Sequence, residues 1–216
     1  MSDLGAAPRP PASLFPARPS PVYDCYWQFA AERQHIFFRR LAGQAPPWTD
    51  DPVLHSYKFT NAYRASDRVS QYLIRQVIYR DDLPDSDEEV FFRLVLFKVF
   101  NRLETWELLE ASLGAVTYAD YRFERFDGVL TRALSEGERI YSPAYIMPPG
   151  THAFGEGRKH RNHLRLIERM MADEVPKQVA AARSMQHVFT LLRSYPTIGD
   201  FLAYQFAIDI NYSEIT

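Results

Sequence analysis

Several features are scarce in this chain of 216 residues. One cysteine, Cys25, excludes an internal disulfide framework and a multi-cysteine metal site. No run of about 18 apolar residues exists, which excludes a helix that crosses a membrane. The 25 Lys and Arg residues are outnumbered by 27 Asp and Glu, so any contact with nucleic acid must come from a local basic patch. Since no hydrophobic signal segment is seen, a reducing cytoplasm is the simplest compartment.

Strand-like alternation and internal repeats are also missing, whereas apolar residues recur at helical spacing through most of the chain. We therefore predict an all-α fold. Hydrophobic residues make up 46% of the sequence, which is enough for one core, so residues 23–216 are expected to form a single helical domain. Residues 1–22 are rich in Pro and Ala without an apolar period, and we interpret them as a disordered leader.

The apolar period predicts the main helices. Ser66 is expected to cap the second of them, and the third, hydrophobic nearly all the way round, should be central. The predicted helical stretches are residues 23–43, 66–80, 88–113 and 118–137, one beginning near residue 162, and two that flank residues 195–199.

Polar residues within the central helix need an explanation. Lys98, Asn101 and Thr105 are spaced i, i+3 and i+7, so a continuous helix would carry them on one side among apolar residues. Such groups need hydrogen-bonding partners or a cavity. Two interpretations stay open: a hydrogen-bonded core network, or a pocket lined by Asn101 together with Glu104.

Two basic stretches are candidates for contact with DNA. In "KFTNAYRASDR", residues 58–68, cations and an amide alternate with aromatic rings, a composition that can meet a phosphate or a base edge. In "GRKHRNHL", residues 157–164, cations could contact phosphates, and either His160 or His163 could act as a general acid or base. A third metal ligand is missing, so no metal site is expected. Solvated faces are the alternative for both stretches.

A nucleotide-binding loop is not expected. The glycines of "GTHAFGEGRKH" do not meet the pattern G-x-x-x-x-G-K-[ST], because Glu156 follows Gly155, and no strand precedes them. We reject an intrinsic P-loop kinase activity and predict no cofactor.

The segment "YPTIG", Tyr195–Gly199, follows the pattern of a helix-hairpin-helix element, in which backbone N–H groups at the start of the second helix reach a DNA phosphate. Thr197 replaces the first glycine of the pattern. Asp200 adds a negative charge where a phosphate would lie. The hairpin is therefore an imperfect phosphate clamp.

Four segments together resemble a known family: "KFTNAYRASDRVSQYLIRQVIY", "FFRLVLFKVFNRLETWELL", "KHRNHL" and "YPTIGDFLAYQFAIDINYS". They are similar to the helical domain of DNA-base hypermodification proteins. That group includes the 5-hydroxymethyluracil DNA kinase helical domain and the α-glutamyl/putrescinyl thymine pyrophosphorylases, or amino acid:DNA transferases. The resemblance runs from about Tyr23 to the last residue and implies a helix-hairpin-helix DNA glycosylase-like fold that handles a pyrimidine flipped from the duplex.

The motifs and the resemblance together supply the candidate site residues. The catalytic candidates are Asn101, Glu104, His160, His163 and Asp209. The substrate-binding candidates are Lys58, Asn61, Arg64, Asp67, Arg68, Gln71, Tyr204, Gln205 and Asn211. The candidates for contact with the DNA backbone are Arg158, Lys159, Arg161, Thr197 and Gly199. The resemblance implies that the last motif continues into an acidic segment and a Gly-rich turn. Truncation of the domain at its C-terminus is therefore an alternative that stays open.

The leading hypothesis is a base-modifying enzyme domain that recognises a hypermodified thymine or related pyrimidine flipped from DNA. Its pocket would lie between the helix around Asn101 and the stretch of residues 58–68. Two alternatives stay open: a DNA glycosylase that excises hypermodified bases, as in phage defence, and a non-catalytic module that binds modified DNA. The expected partners are DNA with modified pyrimidines and a kinase or other modification enzyme, without a membrane.

Overall fold

The computed structural model describes residues 20–144 and 146–216, and every regular element in these ranges is helical. The all-α prediction is confirmed. The chain divides into two compact units, with the boundary in sequence between Tyr63 and Arg64. The predicted leader lies outside the described residues except for residues 20–22, and the single domain over residues 23–216 stays a prediction.

Two helices form the described part of the N-terminal unit: α1 covers Tyr23–Leu41 and α2 covers Pro52–Ser56. The first confirms the predicted helix over residues 23–43. The second begins at a proline, whose missing N–H is not needed in a first turn, and the Asp51 side chain accepts hydrogen bonds from the next two backbone N–H groups.

The C-terminal unit begins with a 3₁₀ turn, Arg64–Ser66, and contains nine α-helices and one π-helical segment within the described residues. In chain order these are α3 (Arg68–Tyr72), the π segment (Leu73–Ile78), α4 (Asp87–Phe100), α5 (Leu103–Leu113), α6 (Phe123–Ser135), α7 (Thr151–Phe154), α8 (Lys159–Ala172), α9 (Val175–Ala180), α10 (Met185–Arg193) and α11 (Asp200–Ile210).

Helix α4 is the centre of this unit, as its composition predicts, since twelve of its fourteen residues are buried. Even Arg93 is buried there. Its Nε donates to the carbonyl oxygen of Val77 at 3.0 Å and its Nη1 to that of Pro84 at 2.7 Å. The guanidinium thus satisfies carbonyl groups where the π segment ends and in the turn that follows.

The predicted continuous helix over residues 88–113 is wrong, because the chain breaks at Asn101. This residue has a left-handed conformation, with φ of 49°, and α5 starts only at Leu103. Asn adopts that conformation more readily than most residues, but an apolar period carries no sign of it. Lys98, Asn101 and Thr105 are all buried but do not form one helical stripe.

The predicted cap at Ser66 is also wrong. Asp67 caps α3 instead, and its Oδ1 accepts hydrogen bonds from the backbone N–H groups of Val69 at 2.8 Å and Ser70 at 3.0 Å. Ser and Asp are both good caps, so composition could not choose between neighbouring positions. The helix also changes to π-helical hydrogen bonding at Leu73 instead of continuing regularly to Arg80.

Candidate functional site

A cavity of about 200 Å³ lies within the C-terminal unit, lined by residues from four separate segments of the chain. Pockets for drug-sized ligands usually exceed about 300 Å³, so this cavity suits one small ring or group. Its polar lining consists of Arg64, Asp67, Ser70, Asn101, Ser142 and Asp209. Val69 and Leu73 add apolar surface.

Asn101 reaches this cavity because α4 ends there. Its backbone N–H donates to the Phe97 carbonyl at 2.6 Å, and the left-handed turn then carries the chain away from the helix axis. The residue is 5% exposed. Its side chain lines the cavity, and buried amides normally have a hydrogen-bonding partner, which a ligand in the cavity could supply.

A buried ion pair ties α11 to α4 beside the cavity. Lys98 Nζ lies 2.5 Å from Asp209 Oδ2, and both residues are 2% exposed. The other carboxylate oxygen, Asp209 Oδ1, is buried and accepts no hydrogen bond from residues 20–144 or 146–216; Arg64 Nη2 lies 4.0 Å away. Burial raises the pKa of Asp209 and lowers the pKa of Lys98.

Arg64 and Asp67 are the more exposed polar residues of the lining, with about a third of each side chain accessible. Arg64 Nε lies 3.5 Å from Asp67 Oδ2, which also accepts a hydrogen bond from Ser70 Oγ at 3.2 Å. The carboxylate that caps α3 is therefore also held at the cavity, and it positions a guanidinium there.

The wall opposite α3 comes from the segment after α6. The Ser142 backbone N–H donates to the Phe100 carbonyl at 2.9 Å, and Thr105 Oγ1 donates to the Ile140 carbonyl at 2.9 Å. These two bonds hold the segment against the break between α4 and α5. Thr105, which the sequence placed in a polar stripe, instead positions this wall.

The cavity therefore brings together four of the predicted site residues, namely Arg64, Asp67, Asn101 and Asp209. Sequence reasoning missed Ser70 and Ser142. Ser142 lies in an irregular segment without a motif, so only its long-range bond to Phe100 reveals it. An amide, a carboxylate oxygen, hydroxyls and a guanidinium can together bind a small heterocycle whose edge carries both donors and acceptors.

Three neighbouring candidates do not line this cavity. Glu104 is exposed, and its carboxylate lies 3.3 Å from Arg102 Nε. Arg68 is exposed. Gln71 Nε2 donates to the Ala65 carbonyl at 2.7 Å, so it stabilises the turn before α3.

The basic stretch of residues 157–164 is committed largely to internal contacts. Arg161 donates two hydrogen bonds of 2.8 Å to the carboxylate of Asp127, which also lies 2.8 Å from His160 Nε2. Lys159 Nζ lies 4.4 Å from the centre of the Tyr141 ring. Arg158 is exposed.

His163 is fully buried, with both ring nitrogens engaged. Its Nδ1 lies 2.7 Å from the Tyr141 hydroxyl and its Nε2 lies 2.8 Å from the Pro148 carbonyl oxygen. A carbonyl oxygen only accepts, so Nε2 carries the proton and Nδ1 accepts from the tyrosine. Burial lowers the pKa of His163 to about 4, and burial also lowers the pKa of His160. Neither histidine lines the cavity.

The remaining substrate-binding candidates lie elsewhere. Tyr204 and Asn211 line an apolar groove between α10 and α11, and Gln205 is buried on α11. Lys58 and Asn61 belong to the N-terminal unit, where the Asn61 carbonyl accepts a hydrogen bond from Arg33.

The turn between α10 and α11 contains one residue with a left-handed backbone. The Ile198 N–H donates to the Tyr195 carbonyl at 3.2 Å, and Thr197 has a positive φ of 71° at the third position of the turn. Glycine adopts a positive φ more readily than other residues, and the sequence pattern has glycine at this position. Gly199 precedes α11, and Asp200 Oδ1 lies 2.5 Å from Arg193 Nε, which offsets its charge.

Two features are absent from the described residues. No described helix has the length and apolar character needed to span a bilayer. Residues 20–144 and 146–216 also contain no group of three or more His, Cys, Asp or Glu side chains arranged to hold a metal ion.

The described residues form an all-helical protein with a small cavity of mostly polar lining. Residues 20–216 match the family model described as "5-hmdU DNA kinase, helical domain", and the chain belongs to that family. This confirms the predicted relationship to DNA-base hypermodification proteins. The chain is 30% identical over 200 residues to a 5-hmdU DNA kinase of Bacillus phage SP10, covering 88% of this chain and 31% of that protein. It thus spans about a third of that relative's length. No solved structure matches the chain.

Proposed function

We propose that this chain recognises a modified thymine, or a related pyrimidine, in DNA by taking the flipped base into the cavity, and that it acts in the hypermodification of that base. The observation that carries the proposal is the buried Oδ1 of Asp209, an acceptor without a hydrogen bond from the described residues, in the same cavity as the Asn101 amide. Family membership supports the choice of a DNA base as the ligand.

The chemistry of a uracil-type ring complements this lining. Its Watson–Crick edge carries an N–H donor between two carbonyl acceptors, and enzymes that flip bases read that edge through hydrogen bonds. Asp209 Oδ1 would accept from the ring N–H, and the amide of Asn101 would donate to the hydroxyl oxygen of a substituent on the ring, which thymine lacks. Val69 and Leu73 would pack against the ring, while Arg64 would meet a polar substituent on it.

The buried pair also supplies groups for proton transfer. Burial raises the pKa of Asp209 and lowers the pKa of Lys98, so these two pKa values lie closer together than those of the same groups in water. Asp209 would hold or accept a proton during modification. The same pair favours excision as a second candidate reaction. The Asp209 carboxylate could accept a proton from a water that attacks C1′ of the sugar, while the bond from C1′ to the base breaks and the base leaves as an anion.

A kinase partner fits this proposal. The relative is a DNA kinase, whereas the present sequence has no P-loop pattern. We propose that a partner enzyme transfers the phosphoryl group and that this helical domain presents or processes the base. A helix-hairpin-helix contact to the DNA backbone through the turn at Gly199 belongs to the same proposal, as does a glycosylase-like arrangement of the helices.

The test compares duplexes that differ at one base, thymine or 5-hydroxymethyluracil, in binding and in nucleoside mass spectrometry. We expect wild type to prefer the modified base and the variant Asn101→Leu to lose that preference by roughly ten-fold, as expected for one buried hydrogen bond to the substituent. Asp209→Asn should weaken the binding of both bases, because both carry the ring N–H. Glu104→Gln is the matched control, because this residue is exposed and does not line the cavity.

The outcomes separate the alternatives. A changed nucleoside mass would support modification, and an abasic product in single-turnover reactions would support excision. Retained preference without chemical change would support binding alone. A folded Asn101→Leu protein with unaltered preference for 5-hydroxymethyluracil would contradict the assignment of the cavity.

A further inference from the structure

A second cavity, within the N-terminal unit, has a composition that the proposed function does not use. It has a volume of about 540 Å³ and lies between α1, α2 and the segments on either side of α2. Its lining includes the cations Arg33, Arg40 and Lys58 and the aromatic rings of Trp48, Tyr57 and Phe59. We call it the basic–aromatic cleft.

Charges in this unit are separated. Residues 20–63 contain four acidic side chains, at positions 24, 32, 50 and 51, and none of them lines the basic–aromatic cleft. Glu32 is engaged with Arg39 at 2.8 Å, and Asp51 caps α2. An anionic group entering the cleft would therefore meet cations without a facing carboxylate.

Two of the aromatic rings are accessible. Tyr57 is 69% exposed and Phe59 is 44% exposed, although large apolar side chains usually bury more of their surface. Trp48 is held in place by a 2.7 Å hydrogen bond from its Nε1 to the Gln44 carbonyl, and the guanidinium of Arg40 lies 5.1 Å from its ring centre. Phe59 packs edge-on against Phe29 at 5.1 Å.

The segment that carries these rings is fastened to α1. Arg33 Nε donates to the Thr60 carbonyl at 2.9 Å, and its Nη2 donates to Thr60 Oγ1 at 3.1 Å. Lys58 and Tyr57 are therefore presented on an anchored segment, which lowers the entropy cost of binding. Arg33 serves this anchoring role, so Arg40 and Lys58 are the cations available for a ligand.

We propose that the basic–aromatic cleft binds an unpaired stretch of DNA strand, with phosphates on Arg40 and Lys58 and bases stacked on Tyr57 and Trp48. Alternating cations and aromatic rings are the shared basis of single-strand recognition, because every base has a face that can stack. This contact goes beyond the base cavity, since it reads the strand and not the modified base. The choice of DNA over another polyanion rests on the proposed function.

The test measures binding of the full chain to a labelled oligothymidylate of roughly ten nucleotides by fluorescence anisotropy over a range of salt concentrations. The double variant Arg40→Ala/Lys58→Ala should bind at least roughly ten-fold more weakly. Its plot of log K against log salt should lose about 1.4 in slope, from two contacts at about 0.7 each. The control double variant, Arg75→Ala/Arg183→Ala, removes two exposed cations elsewhere and should keep the slope.

A second arm tests stacking. Tyr57→Ser should weaken binding by roughly ten-fold while Tyr57→Phe retains it, and an abasic strand with the same phosphates should bind more weakly than oligothymidylate. Equal affinity for the abasic strand would overturn the assignment to a nucleic-acid strand. An unchanged salt slope in the Arg40→Ala/Lys58→Ala protein would overturn the proposal that the cleft binds the phosphates of the strand.

Failure of this proposal differs from failure of the proposed function. Changes in the cleft should weaken thymine and 5-hydroxymethyluracil DNA by the same factor, so the ratio of the two affinities is kept. A change in the cavity at Asn101 should alter that ratio. If the Arg40→Ala/Lys58→Ala protein no longer distinguished 5-hydroxymethyluracil DNA from thymine DNA, the cleft and the cavity would not be two separate sites.

Discussion

Two clusters of buried polar residues lie in the C-terminal unit, and their hydrogen bonds differ. Between α6 and α8, Asp127 accepts from Arg161 and His160, and both ring nitrogens of His163 have partners. At the cavity, Asp209 Oδ1 makes no hydrogen bond with the described residues, and the buried Asn101 lines the same cavity. The residue types are alike, so the difference in hydrogen bonding, not composition, distinguishes framework from candidate site.

The largest expected effect tests the ion pair that joins the cavity to the core. Lys98→Ala should lower the free energy of unfolding by about 3 to 5 kcal/mol, because it removes the nearer of the two cations beside the buried carboxylate of Asp209. The double change Lys98→Met/Asp209→Leu should be close to neutral or stabilising. Urea unfolding of the three proteins measures both. Equal destabilisation by the single and double changes would show that packing, not charge, dominates here.

A smaller effect is expected from the framework cluster and depends on pH. The pKa of His163 is lowered to about 4 from an ordinary 6.5, so the unfolded chain binds a proton there before the folded protein does. The contribution of His163 to the free energy of unfolding should therefore be complete above pH 6.5. It should fall by at most about 3 kcal/mol between about pH 6.5 and 4.

The matched variant for this prediction is His163→Gln. Urea unfolding at pH 7, 5.5 and 4.5 should show a weaker fall in stability for the variant than for wild type, since the difference isolates the imidazole. Base preference at pH 7 should be the same in both proteins. A variant with wild-type stability at every pH but no preference for the modified base would move His163 from the framework to the site.

The sequence predicts much of this arrangement. The apolar period identifies α4 as central, and family motifs single out Asn101 and Asp209 before their side chains are placed together. It could not reveal the break at Asn101, because a single left-handed residue leaves the apolar period intact. Nor could it reveal why Arg93 is buried, since its carbonyl partners are 16 and 9 residues away and depend on how the π segment ends.

For the basic stretch of residues 157–164, the sequence does not predict which groups the cations contact. Its density of cations suggests a surface for phosphates, yet Arg161 and Lys159 contact Asp127 and Tyr141. Asp127 lies 34 residues from Arg161 in sequence, so local composition does not predict the pairing. Whether such a cation has a partner within the fold is therefore seen only in the structure, and contact of this run with DNA stays a prediction.

The replacement Asn101→Gly tests the central claim most directly. Glycine accepts the positive φ of this position, so the break in α4 should persist and the free energy of unfolding should change by no more than about 1 kcal/mol. The side-chain amide alone is lost. The account predicts a folded protein without preference for 5-hydroxymethyluracil over thymine in duplex-binding measurements. A folded Asn101→Gly protein that keeps the wild-type preference would contradict it.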